Sequence, residues 1–342
     1  MNESTTGTVP RQRAEPSAEP DAGRERTGRG GRLARLWRPS PRTVQLACLG
    51  AVIANTLIVI TGGAVRLTQS GLGCPDWPEC TAGSLVPVSS LGYHAIIEFS
   101  NRMLTYAVTA AVGAAIVATV RQRPRRRILT RLSWLLFWGV VAQAVIGGIS
   151  VRTHLAPIWV AIHFCVSTGM IAIAYVLWVR SREGDGPLEL LVRRELRWLC
   201  MVLAGAVGAV VVVGTLVTGT GPHSGSAGAG KRLPFVPVDI TQAHADLVFI
   251  VVGLTVALWF ALKATDAPEQ IVRATRDLFP VLALQAVIGY TQYFTGLPAW
   301  LVLCHMAGAC AVWLSAWRVL MSMRTRHAVE NAAIVVSASA AL

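Results

Sequence analysis

The sequence predicts an all-α polytopic membrane protein in which eight transmembrane helices form two tandem pseudo-symmetric four-helix bundles, with both termini cytoplasmic. Three observations lead there: long apolar runs, an uneven placement of arginine, and an internal repeat. Of 342 residues 53% are hydrophobic and 14% charged. The apolar residues fall in runs long enough to cross a hydrocarbon layer about 30 Å thick as helix. Eight runs are read, at about 44–63, 94–120, 129–150, 157–179, 198–219, 241–262, 278–296 and 298–320.

Arginine and lysine fix the orientation. The stretch before the first run holds nine of them, the loop "RQRPRRR" with Arg131 six, the 180–197 loop five, the 263–276 loop three and the C-terminal end from Arg318 three. The alternate loops share only Arg66, Arg152, Lys231 and Arg232. By the positive-inside rule the basic loops and both termini are cytoplasmic. A membrane surface thus accounts for the net charge of +13, and no nucleic-acid partner is expected.

Taken in order, residues 1–42 read as a disordered cytoplasmic arm, rich in Arg, Gly, Pro, Ser and Glu and without apolar periodicity. The arm lacks the apolar core of a cleavable signal peptide. Residues 43–180 form the N-terminal bundle, 181–197 a cytoplasmic linker, 198–322 the C-terminal bundle and 323–342 a cytoplasmic tail, whose run "AAIVVSASAAL" is too short to span.

Between the first two runs stands "GGAVRLTQSGLGCPDWPEC", Gly62 to Cys80. Five of the seven cysteines lie inside runs, where a small buried hydrophobe is the simpler reading. Cys74 and Cys80 lie in an outside loop, where a disulfide persists. The rival, a metal pair, wants two more ligands, and the loop offers only Asp76 and Glu79. Closed by a disulfide and stiffened by Pro75 and Pro78, the loop reads as a lid or docking surface.

The repeat sharpens the architecture. "QAVIGGISVRTHLAPIWVAIH" (Gln143 to His163) aligns without gaps to "QAVIGYTQYFTGLPAWLVLCH" (Gln285 to His305) at a constant offset of 142. Two copies of a unit with an even number of spans insert the same way up, related by an axis along the membrane normal. At an offset of 143, His244 falls opposite Asn101. Each unit then presents polar groups at matched depth on its second and fourth helices.

Two histidines facing each other in a four-helix bundle suit the axial positions of a haem, because neutral imidazole binds iron and a bundle core admits a flat macrocycle. His244 and His305 are that pair, repeated in part by Asn101 and His163. A single intramembrane histidine also serves as a hydrogen-bonded packing residue. His94, His154 and His223 stand at outer boundaries, and His327 lies on the tail. Glu98 is a carboxylate inside an apolar helix, which by default marks function. Arg102 follows one turn later, so an ion pair between them is the structural alternative.

These residues carry a resemblance. "TGGAVRLTQSGLGCPDWPEC", the motif around Glu98, "TGTGPHSG" and the repeated Gln-to-His segments resemble the heme A synthase family over about residues 44–320. The resemblance implies a cell-membrane, multi-pass oxidoreductase of cytochrome c oxidase assembly that converts the C8 methyl of heme O to the formyl group of heme A. It implies a haem b cofactor, with its iron, between His244 and His305 in the C-terminal half. Heme O would enter the N-terminal half from the lipid bilayer, with Glu98 catalytic and His163 the ligand to the substrate iron. Asn101 and Arg102 belong to that substrate site, Arg66 or Arg152 reaches the propionates, and Cys74 with Cys80 is the family's loop pair. A heme O synthase and an electron donor are the partners expected, and a homo-oligomer is compatible with these features.

Two departures stand out. The family's span 2 pattern is Glu-x-x-His-Arg, whereas this chain reads Glu98, Phe99, Ser100, Asn101, Arg102. His94 lies about 10 Å from that position along the helix axis and does not simply replace the missing ligand. The loop "GPHSGSAGAGKRLPFVPVD" lacks the cysteines that some members carry there. The alternative from another class is a bis-histidine b-type cytochrome carrying electrons between quinol and an external acceptor, which has no use for Glu98. A haem transporter is a third reading.

Overall fold

A computed structural model describes residues 38–327. Eight long helices follow one another: α1 (Pro41–Leu67), α2 (Gly92–Arg121), α3 (Arg127–Arg152), α4 (Pro157–Arg182), α5 (Arg194–Thr220), α6 (Pro237–Ala264), α7 (Glu269–Phe294) and α8 (Ala299–Ser322). A single turn of 3-10 helix, Ser89–Leu91, leads into α2. Two short strands, β1 (Glu189–Leu190) and β2 (Arg324–Thr325), pair antiparallel with Glu189 opposite Thr325.

Proline and capping set several helix starts. Pro41, Pro157 and Pro237 occupy the first turns of α1, α4 and α6, where the missing N–H has no intrahelical partner to lose. The Ser40 hydroxyl caps α1 by accepting from the Thr43 N–H at 3.1 Å. The turns from α3 to α4 and from α7 to α8 repeat one another. Leu155 and Leu297 both adopt positive φ, at 55° and 61°, and their N–H groups donate to the carbonyls of Ser150 and Gln292, each five residues back. The repeat seen in the sequence is thus also a repeat of backbone geometry at these two corners.

Two apolar cores organise the packing. One is drawn from α1 to α4, including Cys48, Val112, Leu129, Leu136 and Leu177. The other is drawn from α5 to α8, including Cys200, Leu203, Leu258, Leu278 and Val319. Where they meet, α1 packs on α8, and α4 packs on both α5 and α8. The Trp313 indole N–H donates across that seam to the Thr168 carbonyl at 2.9 Å.

The outward faces are apolar as well. Trp134, Trp138, Val141 and Val145 form an exposed stripe at helical spacing on α3, and Phe249, Val256 and Phe260 do the same on α6. Water would strip such surfaces of stability, whereas lipid accepts them. Among the described residues, seven of eight long helices are long and apolar enough to cross a membrane. The exception is α7, and here the structure departs from the expected span at 278–296. The helix runs Glu269–Phe294 and opens with Glu269, Arg273, Arg276 and Asp277. Those groups lower its hydropathy, and Asp277 accepts from both Arg276 and Arg318, tying this end of α7 to α8.

The expected ends also change. Of the arm expected over 1–42, residues 1–37 lie outside the described residues, and Pro41 and Arg42 already belong to α1. Of the expected tail, 328–342 likewise lie outside, while Arg324 and Thr325 form β2. Of the linker expected over 181–197, residues 181–182 belong to α4 and 194–197 to α5, and the segment between is held through β1 and through Gly184 and Gly186 donating to the carbonyls of Arg326 and His327.

Candidate functional site

In the C-terminal half, His244 on α6 and His305 on α8 point toward one another. Their ring centres are 6.5 Å apart and their planes inclined at 60°. Two imidazoles sharing one metal at a nitrogen–metal distance of about 2 Å place their ring centres about 6 Å apart, so the spacing fits one iron between them. Among the described residues no group of three or more His, Cys, Asp or Glu converges on a metal position. A macrocycle that brings its own four nitrogens matches this two-residue donor set.

Neighbouring helices shape the pocket for these rings. A Cβ at Gly214 of α5 would stand 3.1 Å from His244 Cε1, and one at Gly289 of α7 would stand 3.1 Å from His305 Cε1. Both contacts are tighter than a methyl group accepts without displacing the imidazole. Gln285 donates to the His305 carbonyl at 2.8 Å, fastening the backbone beneath the ligand. Nδ1 of each histidine is buried and, among the described residues, without a hydrogen-bond partner.

The N-terminal half repeats half of this arrangement. His163 on α4 packs against Gly147 of α3, whose Cβ would lie 3.4 Å from His163 Cε1. Gln143 donates to the His163 carbonyl at 3.0 Å and also bonds Ser167. Nδ1 of His163 is buried and unpartnered. On α2 the side chain is Asn101, whose Oδ1 is also buried without a partner. Among the described residues no hydrogen bond joins Asn101 to His163. An orphaned amide oxygen in an apolar bundle is costly, and an external group with a donor would satisfy it.

Glu98 and Arg102 are paired, with Arg102 Nη2 2.5 Å from Glu98 Oε1. The pair fastens the outer loop to α2. Glu98 Oε2 accepts from the Cys74 N–H at 2.8 Å, and Arg102 donates to the carbonyls of Cys74, Asp76 and Glu79 at 3.0, 3.2 and 3.0 Å. Arg152 adds a bond to the Trp77 carbonyl at 3.1 Å. Cys74 and Cys80 are fully buried, and their sulfurs pair with the Cα atoms 4.3 Å apart. Pro75 and Pro78 carry no N–H, so this short loop presents mainly carbonyls, and two guanidinium groups are suited to receive them.

The loop covers the N-terminal half. The Trp77 indole lies on Gly148, where any side chain would collide with the ring. Gly148 is the neighbour of Gly147, on which His163 rests. Arg66 turns away from the loop and joins the halves, donating to the carbonyls of His223 at 2.8 Å and Thr218 at 3.1 Å. His94 bonds Ser70, and His223 bonds the Leu297 carbonyl at 2.8 Å. His94 and His223, two of the three outer histidines, therefore hold loops in place.

Sequence reasoning missed several supporting groups: Gln143 and Gln285, Gly147 and Gly289, Gly214, and the seat of Trp77. The shared run QAVIG already contained the first four. Nothing local marks Gly214 or Gly148, because their partners are far away in the chain.

The sequence model of a family described as cytochrome oxidase assembly protein (COX15-CtaA) matches residues 45–223. Curated relatives span most of the chain. The heme A synthase of Lysinibacillus sphaericus (strain C3-41) is 25% identical over 282 residues, covering 77% of this chain and 90% of the relative. The heme A synthase of Symbiobacterium thermophilum is 28% identical over 261 residues, covering 69% and 82%. That of Rhodopseudomonas palustris (strain ATCC BAA-98 / CGA009) is 26% identical over 331 residues, covering 82% and 86%.

Proposed function

The chain belongs to the cytochrome oxidase assembly protein family, and on that premise we propose that it is a membrane oxidoreductase that converts heme O to heme A. The observation that carries this reading is the unequal pair of sites: His244 with His305 in one half, and His163 with Asn101 in the other. An electron carrier with two equivalent haems has no need of the inequality.

In this reading α1 to α4 and α5 to α8 are two tandem pseudo-symmetric bundles, with both termini cytoplasmic. The separate apolar cores and the matching corners at Leu155 and Leu297 support the pairing. The C-terminal half, 198–322, holds haem b through His244 and His305, and the bound iron supplies one-electron transfer. The N-terminal half, 43–180, holds heme O by its iron on His163. Asn101 lies where relatives of the heme A synthase pattern carry a second histidine, and its free oxygen suits a water or a substrate donor.

Glu98 has two roles here. It anchors the loop by accepting from Arg102 Nε and Nη2 on Oε1 and from the Cys74 N–H on Oε2, which leaves acceptor capacity mainly on Oε2. The remaining capacity serves chemistry: accepting protons as the C8 methyl is oxidised, or stabilising positive charge on that carbon. The loop, closed by the Cys74–Cys80 disulfide, shields this site from water with Trp77. Arg152, at the loop edge and already holding Trp77, is the better placed of the two outer arginines to meet a propionate, since Arg66 is committed to the opposite half.

Pigment extraction tests the reading. Membranes that contain heme O and this protein should yield heme A, and membranes with heme O alone should not. Heme O left unchanged alongside a folded, haem-bearing protein would instead favour the b-type cytochrome.

A further inference from the structure

At the arginine-rich end of the bundle, opposite the disulfide loop, a cavity of about 380 Å³ opens between the two halves. Its apolar wall includes Leu132 of α3, Val176 of α4 and Leu320 of α8. Its polar wall is formed by Arg180, Arg197, Arg324 and Arg326. Among the described residues, positive charge exceeds what is neutralised there. Glu183 is shared by Arg180 at 2.5 Å and Arg324 at 3.3 Å, and Asp185 is taken by Arg126 at 2.9 Å. Neither acid pairs with Arg197 or Arg326.

Unpartnered donors gather at the same place. Arg197 Nη1, Arg326 Nε and Trp317 Nε1 are all buried and, among the described residues, without a hydrogen-bond partner, and all three residues line the cavity. Arg324 spends one N–H on the thioether of Met321, a weak acceptor. Burial, with the guanidinium groups of Arg180, Arg326 and Arg197 close by, holds Arg324 below the usual arginine range despite the opposing effect of Glu183. Buried donors with no acceptor are uncommon in folded proteins, and three around one cavity call for an external acceptor.

We propose that this cavity binds the phosphate-bearing headgroup of an anionic phospholipid, with an acyl chain lying along the Leu132 and Leu320 wall. Basic pockets between membrane helices take such headgroups, and a guanidinium meets a phosphate through paired N–H groups. The location fits the ligand. The cavity sits where α3 and α5 begin and α4 and α8 end, at the ends of four helices long and apolar enough to cross a membrane. It draws on residues of both halves, so the lipid would bridge them at the end where β1 and β2 also tie them. The inference does not depend on the activity proposed above.

The test uses the full chain in mild detergent and native mass spectrometry, with three probes: phosphatidylglycerol, phosphatidylcholine of the same chains, and inorganic phosphate. The unmodified chain should retain phosphatidylglycerol and not phosphatidylcholine. Arg197→Gln with Arg326→Gln, which removes two cations, should weaken that retention by about 30-fold. Trp317→Phe, which keeps the ring and removes one donor, should weaken it less. Equal retention of both lipids, or displacement of phosphatidylglycerol by inorganic phosphate at millimolar concentration, would overturn the proposal. So would unchanged retention in the double variant. Should that variant fail to fold, the preference of the unmodified chain between the two lipids decides alone.

Discussion

Around His305, the second helix of the C-terminal half offers His244, with ring centres 6.5 Å apart. Around His163, the corresponding position of the N-terminal half is Asn101. The supports beneath the two fourth-helix histidines are otherwise alike: a glutamine to the histidine carbonyl, and a glycine under the ring. What differs is how firmly a metal would be held. In the proposed reading two imidazoles would hold an iron as a resident group, whereas His163 without a second imidazole would leave a weaker site suited to a molecule that must arrive and leave. The loops differ as well. Over the N-terminal half, two arginines and a carboxylate hold a cysteine-closed loop in place. The 221–236 loop has no cysteine and is tied back to the N-terminal half, where it accepts from Gly71 and Arg66 and where Gly230 donates to the His154 carbonyl.

The largest effect that would break this comparison is expected at Glu98. Glu98→Gln leaves Arg102 facing carbonyls alone, and breaking a buried pair costs about 3–5 kcal/mol. Its abundance in membranes should fall sharply. Adding Arg102→Met should restore abundance. Restored protein that also makes heme A would show the carboxylate to be purely structural, and restored protein without heme A supports its chemical role in the N-terminal half.

A smaller effect is expected in the loop itself. Loss of the crosslink by Cys74→Ala should cost about 2 kcal/mol for so short a ring. Activity should drop while the haem spectrum of the C-terminal half stays as it was. Alkylation followed by mass spectrometry should find both loop cysteines protected until reductant is added. Free thiols in freshly isolated protein would remove the disulfide from the account.

Much of this was legible in the sequence, for physical reasons. A span must be apolar throughout, so α1 to α6 and α8 announce themselves, and an undivided repeat such as Gln143 to His163 preserves the spacing of ligand and support together. The ion pair of Glu98 with Arg102 followed from one helical turn of spacing. What stayed hidden depends on partners distant in sequence. Arg66 reaches 157 residues ahead to His223, and Trp77 finds its seat on Gly148. The β1–β2 pair joins a linker to the segment after α8 through backbone bonds, which no side-chain pattern marks. The start of α7 was hidden because its charges, which read as loop, are helical groups paired at the arginine-rich end.

The inequality of the two halves is tested most directly by the absorption spectrum of purified protein carrying one histidine change at a time. His305→Ala should abolish the low-spin haem signal, because a bis-imidazole site loses an axial bond. His163→Ala should leave that signal nearly intact while heme A production stops. If His163→Ala erased the signal and His305→Ala preserved it, the assignment of resident cofactor and substrate to the two halves would be contradicted.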